Sequence, residues 1–506
     1  MLCEADFRRP QGLERLVAAI QDQSLPPMRL MEVCGTHTMA LARTGVRQLL
    51  PPQVQLISGP GCPVCVTPAN VMDEVLRMAS LPGVTLTTYG DLMRVPGSKP
   101  GFDLRRQKAL GADVQVVYSP MDALELAKAH PEQQVVFLGV GFETTAPVTA
   151  LAVLEAQRQG LQNFSLLCLL KATPPALRAL LSQKDFGVDG FLCPGHVATI
   201  LGADAFLFLP QEYEKPAVVA GFEAGDLVAA LHLLITQVKN HAPKLENEYT
   251  RAVSRSGNQM AQGVMAQVLE PKDDTWRGLG NIPNSGFGLK PEFAAYDAAA
   301  RFGFSPAPQT APSPCRCGDV ICGRIGPREC PLFGKVCTPD NPVGPCMVSG
   351  EGACAAAYLY GSEGPRMEPQ YITLDHGSGG GRTAQLIEEL LLPALQNPHL
   401  APLGDGALLD VSGPLAFSTD SFVIDPIFFP GGDIGKLAVC GTVNDLSMCG
   451  AVPRYLSLGM ILEEGFPVED LKRIITSLAA TAASCGVQVV TGDTKVWSVA
   501  TATGFI

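Results

Sequence analysis

The first 240 residues alternate between short, nearly continuous apolar runs and longer amphipathic stretches. Apolar runs bounded by glycine, proline or polar clusters are typical of buried strands, and the stretches between them are typical of helices. Strands that alternate with helices predict parallel sheets covered on both faces. The sequence therefore predicts an α/β fold, with runs such as VQLIS, VTLTT, VVFLGVG and FSLLCLL as strands.

Polar and thiol side chains fall repeatedly where a predicted strand ends. Proteins with parallel sheets bind their ligands at the carboxyl ends of the strands. This placement therefore indicates a binding or catalytic site rather than residues that only pack in the core. Taken alone, Glu143 is more typical of an exposed or helix-capping carboxylate than of a site residue. His196 alone is equally typical of a site residue and of a structural residue. The residues with this placement are Cys34, His37, Cys62, Cys65, Asp91, Arg94, Glu143, Cys193 and His196.

Cys34 and His37 lie in LMEVCGTHTMALARTG, a segment that predicts a strand, a turn and a helix. A thiol beside the free amides of a helix N-terminus gains thiolate character. Thr36 or Thr38 is placed to cap that helix. We expect His37 to face the same pocket as Cys34; the alternative is a buried apolar cysteine beside a structural turn histidine.

Cys62 and Cys65 form a C-x-x-C pair directly after Gly59-Pro60-Gly61, which forces a sharp turn at a strand end. A C-x-x-C between a strand and a helix is typical of dithiol redox centres. The same pair would serve as half of a zinc site completed by Cys34 and His37. The spacing alone does not separate these two interpretations.

A cysteine-rich segment covers residues 315–354 and is otherwise rich in glycine and proline. Such a segment is predicted to be mostly loop, and crowded thiols in an intracellular chain indicate a metal site rather than disulfides. Zinc favours C-x2-C pairs, which are absent here, whereas an iron–sulfur cluster accepts four widely spaced thiolates. Its cysteines are Cys315, Cys317, Cys322, Cys330, Cys337, Cys346 and Cys354.

Composition narrows the class of protein. The chain has 506 residues, 46% of them apolar, and a formal net charge of −12. The length predicts three or four domains, and the negative charge argues against nucleic acid as a partner. We expect a cytoplasmic protein with reduced thiols, because neither a secretory leader nor a membrane-spanning run is visible.

Five motifs are joined on this chain: MEVCGTHT, GPGCPVC, GFETTAP, PGHV and the cysteine-rich end. On them, roughly residues 10–361 closely resemble the hydrogenase maturation family HypD. The resemblance implies two α/β lobes flanking a cleft, with a cluster domain against one side. In the family a [4Fe-4S] cluster occupies a C-x14-C-x6-C-x16-C pattern. Here that pattern selects Cys315, Cys330, Cys337 and Cys354 without insertion or deletion.

The resemblance also implies a function: a scaffold on which the Fe(CN)2CO fragment of nickel–iron hydrogenase is built. Cys34 would be the iron ligand, His37 a nearby ligand or proton donor, and Cys62 with Cys65 a redox pair that also contacts iron. The implied partners are a small chaperone like HypC, a cyanide donor like HypE and, indirectly, the hydrogenase large subunit. The expected catalytic residues are Cys34, His37, Cys62, Cys65, Glu143 and His196.

The residue chemistry agrees with that function, because iron carrying cyanide prefers soft thiolate ligands. Releasing cyanide from a thiocyanate breaks a carbon–sulfur bond reductively, so electrons must be stored nearby. One alternative is an iron–sulfur-dependent dithiol/disulfide oxidoreductase, which needs no iron at Cys34. Another is a zinc-stabilised scaffold without a redox role.

A second family begins after residue 370. Four segments there resemble the N-terminal ATP-binding half of HypE, whose fold is similar to that of aminoimidazole ribonucleotide synthetase. They are HGSGGG, STDSFVIDP, GTVNDLSMCGA and VVTGDTK. The glycine-rich loop that opens at His376 is suited to phosphate. The resemblance implies a residual Mg-ATP site at Asp420, Asn444, Asp445 and Asp493.

The chain is thus predicted to join HypD to the front of HypE, as two parallel-sheet α/β lobes, a cysteine-rich iron–sulfur domain and a partial ATP-binding α+β domain. The closing WSVATATGFI departs from the HypE pattern, so we expect the last part to add no cyanide-forming activity. Residues 241–271 are expected to form a helical pair. The expected divisions are a first lobe over 1–130, a second lobe over 131–240, a helical and cluster domain over 241–361, a linker over 362–370 and a truncated HypE-like domain over 371–506.

Overall fold

The strands predicted from apolar runs form two separate parallel sheets. The computed structural model describes residues 13–22, 24–99, 101–183, 186–307, 314–339, 341–360, 371–377, 381–401, 406–424 and 426–497. Among these residues the strands are β1 Met28–Glu32, β2 Val54–Ser58, β3 Val84–Thr88, β4 Asp113–Val116, β5 Gln134–Gly141, β6 Phe164–Leu170, β7 Gly190–Pro194, β8 Ala217–Ala220, β9 Leu245–Asn247, β10 Leu269–Trp276, β11 Gly280–Leu289, β12 Phe428–Phe429, β13 Gly432–Asp433, β14 Tyr455–Glu463 and β15 Gln488–Trp497.

Helices connect and cover these strands. The α-helices of the described residues are Leu13–Ile20, Gly35–Arg43, Val46–Leu49, Pro63–Val66, Ala69–Ala79, Leu104–Ala109, Pro120–Ala129, Ala146–Gln159, Thr173–Leu181, Gly195–Leu201, Phe208–Tyr213, Ala224–Lys239, Gln259–Val268, Ala298–Arg301, Cys317–Ile321, Ala353–Tyr360, Gly381–Leu386, Leu392–Leu395, Ile434–Met448 and Val468–Ser484. Short 3-10 turns cover Gly90–Arg94, Ala203–Phe206, Pro291–Tyr296, Pro327–Glu329, Pro345–Met347 and Leu374–Gly377, and a π-helical turn covers Ile387–Leu391.

Two compact units divide the chain, residues 1–364 and 365–506. In the first unit one sheet has the order β2-β1-β7-β8-β9 and the other has the order β4-β3-β5-β6. Every pairing in both sheets is parallel. Strands β5 and β6 are buried along almost their whole length, as continuous apolar runs require. The α/β prediction with parallel sheets is confirmed.

The division between the two lobes differs from the expected boundary at residues 130 and 131. The first sheet takes β1 and β2 from the start of the chain and β7, β8 and β9 from residues 190–247. The four strands between them form the second sheet. Strand order depends on which strands pair, and local sequence does not encode that choice.

Residues 241–271 contain β9, one helix and the start of β10, not the predicted helical pair, and β10 pairs with β11 as an antiparallel hairpin. Most of β10 is polar and exposed, so it lacks the apolar alternation that identifies strands. Gly278 and Gly280 take φ values of +79° and +77° in its turn, a conformation that glycine adopts without strain.

In the second unit, the helices Ile434–Met448 and Val468–Ser484 accompany the parallel pair β14–β15. The helix Val468–Ser484 leads into β15 through residues 485–487. The linker 362–370, residues 378–380 of the glycine-rich loop and residues 498–506 of the closing segment lie outside the described residues. No helix in the described ranges has both the length and the apolar character needed to cross a membrane.

Candidate functional site

Cys34 lies directly after β1, at the N-cap position of the helix Gly35–Arg43. Cys34 is 8% exposed. Burial raises the pKa of Cys34 to about 12, and the backbone amides of His37 and Thr36 oppose that shift only in part. The free thiol is therefore protonated near neutral pH, and a bound cation would be needed to make it a thiolate.

The C-x-x-C loop after β2 packs directly against the Cys34 loop. The amide of Gly35 donates to the carbonyl of Gly61 at 2.8 Å. A β-carbon on Gly61 would lie 2.4 Å from the backbone of Cys34, so only glycine permits this approach. Cys62 follows immediately, which brings the two predicted thiol motifs into one place.

Cys62 and Cys65 are joined in a disulfide with their α-carbons 5.2 Å apart. Pro63 opens the four-residue helix Pro63–Val66, and the sulfur of Cys62 accepts from the amide of Cys65 at 3.2 Å. Both residues are buried. In this oxidised form neither sulfur is a free thiolate, so metal binding by either one requires reduction first.

His37 is fully buried, and its Nε2 atom lies 3.2 Å from the carbonyl oxygen of Ala220 and 3.0 Å from that of Gly221. Carbonyl oxygens only accept, so Nε2 carries the ring proton. Nδ1 is buried without a hydrogen-bond partner among the described residues and keeps a lone pair. Burial lowers the pKa of His37 to about 4. Near pH 7 the free Nδ1 is an acceptor or ligand rather than a proton donor.

Phe222 lies between the two histidines predicted for the site. Its ring centroid is 4.6 Å from that of His37 and 3.8 Å from that of His196. His196 follows β7, and Phe222 follows β8. The first sheet thus brings Cys34, His37, Cys62 and His196 together at the carboxyl ends of neighbouring strands. Phe222 was not among the predicted site residues, although it also follows an apolar strand as the predicted residues do.

Glu143 follows β5 in the second sheet and is 1% exposed. Its carboxylate accepts from the amide of Thr173 at 2.6 Å and from the hydroxyl of Thr173 at 2.8 Å. Burial raises the pKa of Glu143 to about 7. These hydrogen bonds cap the N-terminus of the helix Thr173–Leu181. Glu143 therefore has the helix-capping role that is typical of a carboxylate at such a position.

Another carboxylate approaches Cys34 from the cysteine-rich segment. Glu351 accepts from the hydroxyl of Thr36 at 2.6 Å, and a β-carbon on Gly35 would lie 2.6 Å from the β-carbon of Glu351. The segment therefore packs against the turn that carries Cys34. Local sequence did not indicate this contact, because the two residues are 315 positions apart.

Six of the seven cysteines of residues 315–354 line one cavity. The four predicted cluster ligands are among them, and Leu332, Phe333 and Met347 supply apolar walls. This donor set fits a [4Fe-4S] cluster, which takes four thiolates. Two further thiols that the spacing pattern left over also line the cavity. The six are Cys315, Cys317, Cys330, Cys337, Cys346 and Cys354.

The cavity thiols touch one another in a row that runs from Cys315 through Cys317 and Cys346 to Cys354. The hydrogen bond between Cys315 and Cys317, followed by burial, raises the pKa of Cys315 well above its usual range. A β-carbon on Gly344 would lie 2.3 Å from the sulfur of Cys315, so glycine is required beside it. No group of three or more His, Cys, Asp or Glu side chains in the described ranges is arranged around a single metal ion.

The residues proposed for Mg-ATP lie in the second unit. A carboxylate oxygen of Asp420 is 3.7 Å from the β-carbon position of Gly441, on the helix that also carries Asn444 and Asp445. Asp493 lies in β15 and forms an ion pair with Lys495 at 3.1 Å. Asp420 is thus beside the helix of its predicted partners, while Asp493 already has a cationic neighbour.

Parallel sheets, a buried thiol beside a disulfide, and a cavity lined by cysteines define this as an α/β protein with two cysteine-rich sites. The family model "HypD: Hydrogenase formation hypA family" matches residues 11–361. The chain belongs to the HypD family of hydrogenase maturation factors.

Curated relatives agree over the same part of the chain. Hydrogenase maturation factor HypD2 of Bradyrhizobium diazoefficiens is 45% identical over 365 residues, which cover 70% of this chain and 96% of that protein. Hydrogenase maturation factor HypD of Escherichia coli is 45% identical over 365 residues, covering 70% and 97%. The prediction of a HypD family member is confirmed.

The end of the chain matches a different family. The model "AIR synthase related protein, N-terminal domain" matches residues 403–506. A crystal structure of the hydrogenase maturation protein HypE in complex with ATP is 56% identical, with a TM-score of 0.25. That similarity covers 26% of this chain and 39% of the HypE chain. The family matches confirm that the chain joins two families, as the motifs predicted.

Proposed function

We propose that the chain is a scaffold on which the Fe(CN)2CO fragment of the nickel–iron hydrogenase centre is assembled. The observation that carries this proposal is the contact between the two thiol loops, with Gly61 against the backbone of Cys34. That contact puts a potential iron ligand beside a two-electron redox pair. Family membership supports hydrogenase maturation, and the thiol geometry supports this particular step.

Iron enters as cargo at Cys34. A cation displaces the thiol proton, because its charge offsets the burial that keeps the thiol neutral. The amides of Thr36 and His37 then stabilise the thiolate. His37 offers the Nδ1 lone pair as a second ligand or as an acceptor. Once reduced, Cys62 and Cys65 offer further thiolates to iron, which prefers such soft donors when it carries cyanide.

The pair Cys62–Cys65 supplies electrons for cyanide release. The carbon–sulfur bond of a protein thiocyanate breaks on uptake of two electrons and one proton, which yields a thiol and a cyanide ion. The dithiol gives up two electrons and two protons as its sulfurs join, so one proton is left for solvent. Two electrons from an external one-electron carrier, together with two protons from solvent, then restore the dithiol.

Cys315, Cys330, Cys337 and Cys354 would hold a [4Fe-4S] cluster in the cysteine-lined cavity. When bound, the cluster would supply one-electron transfer during restoration of the dithiol. The helix Pro63–Val66 contacts both the helix Cys317–Ile321 and the turn Pro345–Met347, so the disulfide and the cavity share one core. Leu332, Phe333 and Met347 give that cavity apolar walls.

The partners of this function are a small chaperone like HypC, a thiocyanate donor like HypE and, at the end of the route, the hydrogenase large subunit. The second unit carries the match to the AIR synthase related family, and we expect it to add no cyanide-forming activity of its own. A residual Mg-ATP site would use Asp420, Asn444, Asp445 and Asp493. Linking the two families in one chain would raise their effective concentration for each other.

The disulfide between Cys62 and Cys65 favours one alternative, an iron–sulfur-dependent dithiol/disulfide oxidoreductase. Such an enzyme uses the pair and the cavity thiols but needs no iron at Cys34. Iron-bound cyanide is the feature that separates the two functions.

The test is infrared spectroscopy of the chain purified without oxygen from cells that make hydrogenase. Bound CN and CO absorb between the amide and C–H regions, where protein is nearly silent. We expect both bands in the wild-type chain. A chain with a full iron–sulfur complement and no such bands would be the oxidoreductase instead.

A further inference from the structure

A second cavity lies at the edge of the second sheet that is opposite to Glu143. Its wall includes the loops that enter β3, β4 and β5 at their amino ends, whereas Glu143 follows the carboxyl end of β5. The cavity has a volume of about 300 Å³. Small-molecule sites are on the order of 300–1,000 Å³, so this volume is enough for a small ligand. None of the described residues that line it belongs to a cysteine motif or to the proposed iron site.

The polar wall of this cavity presents oxygen atoms. They belong to one carboxylate, two side-chain amides and two hydroxyls, which are those of Asp113, Gln107, Gln133, Ser80 and Thr85. Asp113 is the only charged residue among the described residues of the wall. The cavity therefore carries a negative charge that no lysine, arginine or histidine of that wall balances.

The two hydroxyls do not supply enough protons for the acceptors around them. The Thr85 hydroxyl lies 2.6 Å from a carboxylate oxygen of Asp113 and also 2.6 Å from the amide oxygen of Gln133. A hydroxyl has a single proton, so it donates to one of these oxygens at a time. The Ser80 hydroxyl likewise lies 2.9 Å from the carbonyl four residues before it and 3.2 Å from the amide oxygen of Gln107. Each hydroxyl thus leaves an oxygen that a ligand N–H can reach.

Two of these polar groups are buried, so solvent competes weakly for them. Thr85 is 1% exposed and Gln107 is 8% exposed. The main chain adds to the preference for positive charge, because the helix Ala69–Ala79 ends at the cavity and Ala79 lines it. A helix C-terminus carries partial negative charge and stabilises a cation beside it.

We propose that this cavity binds a small organic cation with several N–H donors, of the alkylguanidinium class. A guanidinium is planar and permanently charged, so it suits both the carboxylate of Asp113 and the amide oxygens of Gln107 and Gln133. The side chains of Leu81 and Leu110 belong to the same wall and provide apolar surface for the alkyl chain. The site lies outside both cysteine motifs and is independent of iron.

A divalent metal ion fits this wall less well than an organic cation does. Calcium takes several oxygen ligands, usually with more than one carboxylate, and magnesium requires near-octahedral geometry. Asp113 is the only carboxylate of the described wall. In the described ranges no three His, Cys, Asp or Glu side chains are grouped around one metal position.

The experiment measures binding of n-butylguanidinium to the full chain by isothermal titration calorimetry and ligand-detected nuclear magnetic resonance. The matched neutral probe is n-butylurea, which has nearly the same shape, fewer N–H donors and no charge. We expect n-butylguanidinium to bind at least about tenfold more tightly, because its hydrogen bonds to the wall are charge-assisted. Equal affinity of the two probes, or no binding of n-butylguanidinium, would overturn the proposal.

Two variants test whether the probe occupies this cavity. Asp113→Asn removes the charge of the wall and should weaken n-butylguanidinium binding by at least about fivefold, with n-butylurea binding changed by less than about twofold. Leu110→Trp places a larger side chain at the cavity and should weaken binding of both probes. Leu110 is 69% exposed, so this change does not disturb the core.

The matched control is Glu125→Gln, which removes an exposed carboxylate on the helix Pro120–Ala129 that does not line the cavity. It should leave binding of both probes unchanged. Undiminished n-butylguanidinium binding in both Asp113→Asn and Leu110→Trp would place the probe elsewhere and refute the site.

Calcium chloride is the third probe. Displacement of n-butylguanidinium by Ca²⁺ at an equal or lower concentration would make this a metal site and overturn the organic-cation assignment. Circular dichroism checks that each variant is folded. If Asp113→Asn does not fold, the selectivity of the wild-type chain between the two butyl probes and the loss of binding in Leu110→Trp still decide the question.

Discussion

The thiol of Cys34 is buried beside two helix amides and carries a pKa raised to about 12. An ordinary buried cysteine at this position would be an inert apolar residue. Its neighbours argue otherwise, because the Cys62–Cys65 loop packs on the backbone of Cys34 and Glu351 accepts a hydrogen bond from Thr36 in the same turn. The single residue is therefore the most direct test of the proposed iron site.

We expect Cys34→Ala to abolish the CN and CO bands while leaving the iron–sulfur chromophore at wild-type intensity. The variant removes the proposed iron ligand but no thiol of the cluster cavity. Infrared and visible spectra of the same sample measure both properties. Cys168→Ala, which changes a buried cysteine in β6, is the control and should keep both. Normal bands in Cys34→Ala would exclude it as the ligand.

Glu143 supplies a prediction on pH. Its pKa is about 7 in the folded chain and about 4.5 when unfolded, so the folded state binds the extra proton between these values. The corresponding stability is fully present below pH 4.5 and is lost as the pH rises through 7. The loss is at most about 3 kcal/mol, on the order of 1.4 kcal/mol per unit of pKa difference.

Glu143→Gln should remove most of that loss, because the amide does not ionise. Urea unfolding of both proteins at pH 5 and pH 8 measures the difference. Equal pH dependence in the two proteins would contradict the buried-carboxyl interpretation. Loss of the CN and CO bands in the variant at unchanged stability would support the catalytic role that the family resemblance implies for Glu143.

At the scale of elements, two strand-end loops meet because β1 and β2 are parallel neighbours in one sheet. Gly61→Ala tests that contact. Its new β-carbon would lie 2.4 Å from the Cys34 backbone, so we expect a loss of about 1–3 kcal/mol in the free energy of unfolding and weaker CN and CO bands. Denaturant unfolding and infrared spectra measure the two effects.

Gly263→Ala is the matched control for that substitution. Gly263 lies in the helix Gln259–Val268 and has nothing within 4 Å of its β-carbon position. Alanine there should stabilise the helix by about 0.5–1 kcal/mol. If Gly61→Ala behaved like this control, the two loops would not be in close contact.

The cysteine-rich segment is the second element that can be tested. Cys330→Ser or Cys337→Ser should remove the brown chromophore, because a hard oxygen replaces a thiolate ligand of the cluster. Iron content and visible absorbance of protein purified without oxygen measure the loss. Cys322→Ser changes the one cysteine of the segment that does not line the cavity, and it should keep the chromophore. Full iron in both of the first two variants would refute the ligand set.

At the scale of the whole molecule, the chain divides into two units, and each core cluster of the described residues is built within one of them. Separate cores predict separate unfolding transitions. Leu86→Ala and Leu471→Ala each remove most of a fully buried side chain and leave a cavity, one in each unit. Each should lower the stability of its own unit by about 2–5 kcal/mol.

Scanning calorimetry of the two leucine variants measures this independence. We expect two transitions in the wild-type chain, with each variant shifting one of them and leaving the other in place. A single transition that moves in both variants would show that the two units unfold together.

The sequence alone determined much of this protein. Apolar runs, strand-end glycines and cysteine spacing are local features, so the parallel sheets, the motifs around Cys34 and Cys62, and the junction of two families could be predicted. The resemblance to the HypD family also implied four cluster cysteines, which the structure brings to one cavity. These features are short-range, and residue order records them directly.

Only the tertiary structure decided which strands share a sheet and which residues meet. The lobe boundary at residue 130 differed because strand pairing joins distant segments. Such pairing brings Phe222 between two histidines and Glu351 against Thr36. It also brings Cys317 and Cys346 to the cavity and Arg277 to the disulfide helix. Contacts between residues far apart in the chain arise from the packing of whole elements, and no local pattern of side chains specifies them.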